Sequence, residues 1–263
     1  GLPTGFTIAA TAVSGIKEVE DLRGKRFALV KANSSITVKS EPILAFGGLT
    51  WDDVELIEVP SYNASLRALI EGRADAAGVA PTAPGLYELE ASPNGISWFQ
   101  MSPENKEGWA RVREVVPFVE PFQETIGAGL SEDNPVWMMG YRYPMLTMRA
   151  DADPKLAHAI LQAMDDAYDT YKDVSPAMKR WNIKQAGTPP MDAPFHEGAI
   201  AYLKEIGQWG DEQQAWQDKI VKRHAMLRQA WKKFMATSAA KRADDDALFD
   251  LWRVERKAVM QSV

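Results

Sequence analysis

The chain has 263 residues, is 46% hydrophobic and carries 36 acidic against 30 basic side chains, a formal net charge of -6 at neutral pH. That apolar content suffices for one large domain or two modest α/β lobes, and the negative balance gives phosphate backbones no global attraction, so nucleic acid is not an expected partner. Cysteine is absent, which excludes disulfides, thiol nucleophiles and Cys-ligated zinc.

In chain order, Gly1 to Gly15 lacks the basic-then-apolar pattern of a signal peptide, and no window approaches the ~20 apolar residues that span a bilayer. Five β-rich runs then alternate with helical stretches: Phe6 to Val13, Arg26 to Val30, Val54 to Val59, Asp75 to Val79 and Ile96 to Met101. Such alternation predicts a parallel sheet with crossover helices. Ile16 to Gly24 reads as a short helical turn, and Ser34 to Phe46 as a longer helix stopped at Gly47-Gly48. Within that helix Pro42 would kink the interior, so Ser40 competes as the true cap with Pro42 in the first turn. Ser61 to Glu71 is a third helix, with Leu66, Leu69 and Ile70 on one buried face and Gly72 closing it. Arg26 to about Met101 thus reads as one βαβαβ lobe.

Val136 to Met148 is long enough to cross between lobes as a hinge strand. Helices follow: Asp153 to Lys172, with Ala157, Ile160, Leu161 and Met164 on one stripe, and Glu197 to Ile206 after the breakers Pro189-Pro190 and Pro194. From Gly210 the sequence is charged and helical, with Trp216, Ile220, Leu227, Trp231 and Phe234 at near-heptad spacing, which predicts a helical hairpin. Asp244-Asp245-Asp246 is expected to open its second arm.

Three segments are candidates for function. Val30 to Thr37 (VKANSSIT) is a strand opening into a helix, where backbone N–H groups and the hydroxyls of Ser34, Ser35 and Thr37 can hold a carboxylate; simple helix capping is the competing reading. Ala80-Pro81-Thr82 follows a strand and would face Ser34 and Ser35 across a crevice at the carboxyl end of the sheet, against the alternative of a plain turn. The run Trp137 to Tyr143 could lend ring surfaces and Arg142 to a pocket, although such a run also fits a buried strand. The three histidines, His158, His196 and His224, lie apart without HExxH spacing, and GxSxG, Walker and GxGxxG signatures are missing. No catalytic residue, metal site or cofactor is therefore expected.

Taken in order, SGIKEVEDLRGK (14 to 25), the hydroxyl turn, GLTWDDV (48 to 54), Leu69 to Ala76 and PFHEGAIAYLKEIG (194 to 207) resemble the TAXI family of TRAP-transporter solute receptors. The likeness runs from about Pro3 to Gly207. It implies an α/β, two-lobed periplasmic-binding-protein (type II) architecture, an extracytoplasmic location, and a non-enzymatic receptor handing a small organic acid or amino acid, such as glutamate, to a TRAP membrane permease. The family's GSGT-like turn falls on Asn33, Ser34, Ser35 and Thr37, and the turn after its DA strand on Ala80, Pro81 and Thr82. Tyr141 and Arg142 complete the expected ligand set.

The sequence departs from that family in three ways. The family's opening βαβα stretch has no counterpart, so one lobe is expected to be incomplete; the turn reads NSSIT where glycine is favoured; and Gly210 to Val263 matches nothing in the pattern. The expected organisation is an α/β ligand-binding lobe over 14–135, interlobe strands and the rest of the second lobe over 1–13 and 136–207, and a C-terminal helical extension over 208–263. Competing readings are an ABC-importer receptor of the same fold and a helical interaction module that self-associates through the C-terminal helices.

Overall fold

The computed structural model describes residues 3–31, 33–188, 191 and 193–260. The chain divides into two compact units, 1–146 with 167–192 and 147–166 with 193–263. Its first elements are β1 (Pro3–Thr11), β2 (Arg26–Val30), α1 (Ser34–Phe46), β3 (Glu55–Val59), α2 (Tyr62–Ile70), β4 (Ala76–Val79), α3 (Pro84–Ala91), β5 (Ile96–Ser97), α4 (Lys106–Val115), β6 (Glu120–Glu124) and β7 (Val136–Arg142). The helices α5 (Pro154–Asp166), α6 (Tyr168–Tyr171), α7 (Glu197–Glu205), α8 (Asp211–Met235), α9 (Ser238–Arg242) and α10 (Asp245–Met260) follow. The fold class is α/β, as the alternation predicts.

In the first unit the strands run in the order β3-β2-β4-β1-β7-β6, with β5 also paired to β1. The sheet is mixed, which corrects the expectation of a parallel one. Among the described residues the parallel pairings are those of β2, with β3 and β4 on its two sides. β1 is antiparallel to β4, β5 and β7, and β6 is antiparallel to β7. Two buried clusters cover the two faces. Phe6, Ile8 and Phe27 pack with Ile43, Leu44 and Phe46 of α1 and Trp109 of α4. On the other face Ala9, Ala28 and Val79 pack with Leu66 and Leu69 of α2 and Leu86 and Leu89 of α3. Alternate side chains of each strand feed opposite clusters because the pleat has a period of two.

Several expected boundaries shift for local reasons. β7 stops at Arg142 rather than Met148, and Pro144, with no N–H to give a ladder, lies just beyond. The strand expected over Ile96 to Met101 pairs only at Ile96–Ser97. Between Ile16 and Gly24 there is only a 3-10 turn, Val19–Leu22, whose capping box joins Glu18 and Asp21. α1 begins at Ser34 and carries Pro42 in its interior, so Ser40 is not its cap; Ser40 is buried and its hydroxyl instead donates to Ile36 O, 2.9 Å away. β6 escaped the reading because Glu120, Pro121 and Glu124 break any apolar alternation, a composition tolerated at the end of a sheet.

The second unit is helical. α5 packs on α7, and Gly198 makes this approach possible, since a Cβ there would overlap the Pro154 carbonyl. Phe195 N donates to Gln217 Oε1 at 2.8 Å and Gln217 Nε2 returns a bond to Phe195 O at 2.9 Å, so α8 is tied to the segment leading into α7. α8 and α10 form the expected hairpin, held by Trp252 edge-on to Trp231 at 4.9 Å. Asp244 caps the second arm, accepting from Ala247 N at 2.9 Å. The pair Pro189-Pro190 lies outside the described residues. Among the described residues no helix is long and apolar enough to cross a membrane.

Candidate anion site at the carboxyl ends of β2 and β4

β2 and β4 are parallel neighbours, so both carry their carboxyl ends to one edge. From that edge β2 leads into α1 on one face, whereas β4 leads into α3 on the other. Diverging connections of this kind open a crevice at the strand ends, the usual place for a ligand in an open α/β sheet.

α1 starts at Ser34. Asn33, the N-cap residue, makes no side-chain capping bond. Its backbone is occupied: Asn33 N donates to Val30 O at 3.2 Å and Asn33 O accepts from Ile36 N at 3.1 Å. Ser34 and Ser35 are exposed and Thr37 half-buried. Asn33 gives this helix start no side-chain cap and Ile36 N is spent on Asn33 O, so what the start offers an anion is its dipole end and the exposed Ser34 and Ser35 hydroxyls.

The neighbouring turn is fixed by its surroundings. Ala80 N donates to the Tyr62 hydroxyl at 3.1 Å, and Pro81 O accepts from Ala128 N at 3.2 Å. Gly127, at φ 152°, permits this contact, because a Cβ there would lie 2.6 Å from Pro81 O. Pro81 is buried and Thr82 exposed. Burial raises the Tyr62 hydroxyl above its ordinary pKa, and the Ala80 N–H opposes that only partly.

Tyr141 and Arg142 point to opposite faces of β7. Arg142 is buried and gives its guanidinium to Gln185 O at 2.5 Å and to Thr188 O at 2.7 Å. These bonds carry it to the 185–188 turn, away from the α1 face. Tyr141 lies on the α1 face, edge-on to Phe6 at 6.5 Å. Over these rings sits Lys39, one helical turn beyond Ser35, with Nζ 4.6 Å from the Phe6 centroid and 3.5 Å from the Tyr141 hydroxyl. Burial holds its pKa below the ordinary lysine value. No carboxylate among the described residues forms an ion pair with it.

Sequence reasoning therefore named the two turns and Tyr141 but missed Lys39, Phe6 and Tyr62. The Lys39 signal was present, since residues four apart share a helix face and Ser35 was already a candidate. An open groove of about 490 Å³ lies elsewhere, lined by Glu90, Ile96, Trp98, Gln100 and Asn134. It sits by β5, where β5 joins the far end of β1, and its polar groups are spent internally: Asn134 Nδ2 on Gly129 O at 2.7 Å and Gln100 Oε1 on Trp137 N at 2.8 Å. The chemistry favours the α1 edge over this groove.

The sheet and its diverging connections define an α/β protein, with a candidate ligand crevice at the strand ends. Residues 2–207 match the NMT1-like family, and the chain belongs to it. Solved structures with some likeness include the alkanesulfonate-binding protein SsuA of Xanthomonas axonopodis pv. citri bound to MOPS, at 18% identity, TM-score 0.37, and coverage of 81% of this chain and 65% of that one. Another is the periplasmic aliphatic sulphonate binding protein SsuA of Escherichia coli, at 14% identity, TM-score 0.40, and coverage of 87% and 64%. The chain thus spans just under two thirds of the length of these two proteins. No curated protein matches it.

Proposed function

We propose that this chain is the ligand-gripping part of an extracytoplasmic solute-binding receptor that captures a small organic acid or amino acid and delivers it to a membrane transporter of the TRAP type. The observation that carries the reading is the uncapped, hydroxyl-rich start of α1 at the diverging edge beside β4, with the Lys39 ammonium one turn further along. Backbone donors, hydroxyls and one cation that pairs with no carboxylate among the described residues together favour a carboxylate. The proposed ligand residues are Asn33, Ser34, Ser35, Thr37, Thr82 and Tyr141, with Ala80 and Pro81 shaping the turn. Arg142 serves this reading as a brace for the 185–188 turn.

A thermal-shift screen of carboxylates, amino acids and sulfonates tests the proposal. A ligand that binds only the native state at a hundred times its Kd stabilises by about 2.7 kcal/mol, enough to move the melting point by several degrees. The reading expects such a shift with at least one acid and none with cations or neutral sugars. Shifts from neutral sugars alone would overturn it. The transporter class is tested by the neighbouring genes: an ATPase in place of a large multi-span permease would make the chain an ABC-importer receptor.

A further inference from the structure

Tyr143 is 60% exposed, and its ring stacks on that of Tyr141 with centroids 6.1 Å apart and planes 23° from parallel. Lys39 Nζ lies 5.1 Å from the Tyr141 centroid and 5.6 Å from that of Tyr143. One ammonium therefore serves both rings as well as Phe6. Met145 and Leu146 continue the exposed apolar surface along the same segment.

This arrangement discriminates among acids. A carboxylate held by Lys39 would have whatever it carries beside the two tyrosines whose rings that ammonium faces. An aromatic body can stack offset on Tyr143, an arrangement that favours flat rings over puckered ones. An α-ammonium group, by contrast, would approach a lysine that forms an ion pair with no carboxylate among the described residues, and like charges repel most where water is scarce.

We propose that this edge selects a carboxylate attached directly to an aromatic ring, with the carboxylate held by Lys39 and the first turn of α1 and the ring laid against Tyr143. The inference rests on the receptor reading and narrows its ligand class away from amino acids.

Titration calorimetry on the full chain with benzoate, cyclohexanecarboxylate and L-glutamate tests it, alongside Tyr143→Ala and Lys39→Gln variants checked for fold by circular dichroism. Benzoate is expected to bind the unaltered chain roughly tenfold tighter than cyclohexanecarboxylate, and L-glutamate the weakest. Tyr143→Ala should erase the preference for the flat ring, weakening benzoate more than cyclohexanecarboxylate, and Lys39→Gln should weaken both ring acids at least about tenfold. Equal binding of benzoate and cyclohexanecarboxylate, or glutamate binding tightest, would overturn the ring selection and leave the receptor reading standing. Undiminished affinity in Lys39→Gln would overturn the ion pair. If none of the three acids binds, the ring proposal fails, and the receptor reading fails with it only if the wider acid screen is also blank.

Discussion

Arg180 lays both terminal guanidinium nitrogens on the carboxylate of Glu124, at 3.0 and 2.5 Å, where Glu124 has no exposure to solvent. The same carboxylate accepts from Gly5 N at 3.0 Å, Thr125 N at 3.0 Å and Ile126 N at 2.9 Å. One buried anion thereby joins the start of β1, the end of β6 and the 176–181 segment. Phe122 lies under the guanidinium at 5.2 Å.

Removing the arginine alone leaves that charge buried with only backbone donors. Arg180→Ala is expected to destabilise the chain by about 3 kcal/mol, read as a lower urea midpoint at unchanged slope. Arg180→Ala combined with Glu124→Gln should recover part of the loss. A single variant as stable as the parent would show the pair to be dispensable.

Tyr202 gives an alkaline signature. Burial first, and its hydrogen bond to Asp165 at 2.7 Å second, push its pKa up to about 12. A phenol whose pKa is raised by folding contributes stability that is full below the ordinary value near 10 and is lost as pH rises through about 12. Spectrophotometric titration should therefore show a late tyrosine that disappears in Tyr202→Phe, and that variant should lose less stability than the parent between those pH values.

The turn after β4 depends on Tyr62. Tyr62→Phe leaves the Ala80 N–H without its partner, which costs about 1–3 kcal/mol when such a group stays buried. Amide exchange at Ala80 should quicken in the variant more than exchange in α4. Unaltered exchange at Ala80 would show that the turn holds without this bond.

Lys39 should trade stability for binding. Its lowered pKa means that the unfolded chain holds this proton more firmly, so its unfavourable contribution is full at neutral pH and fades as pH rises towards the ordinary lysine value. Lys39→Met is thus expected to melt slightly higher than the parent at pH 7 and to show no gain near pH 11. A melting point lowered at pH 7 would mean that the ring contacts outweigh the desolvation.

The legible parts of this fold were those written in local pattern. α1, α2 and the α8–α10 hairpin follow from apolar spacing and glycine or aspartate punctuation, and β2 and β4 from short apolar runs. The antiparallel place of β1 was hidden, because side-chain alternation reads the same in either direction. β6 was hidden because its pairing with β7, not its own composition, makes it a strand. At the site, hydroxyls following a strand pointed to α1, whereas the role of Lys39 needs Phe6 and Tyr141, which lie 33 residues before it and 102 residues after it in the chain. Arg142 shows the converse: the residue was visible, but its carbonyl partners at Gln185 and Thr188 were not.

The central claim is that the turns after β2 and β4 grip one anion together. Calorimetric titration of the tightest acid from the screen into the parent and into the Ser35→Ala, Thr82→Ala double variant tests this most directly. Two hydrogen bonds to a charged group, at about 1.5–3 kcal/mol each, predict at least a roughly hundredfold rise in Kd with an unchanged melting point for the empty protein. Equal affinity in parent and double variant would contradict the account.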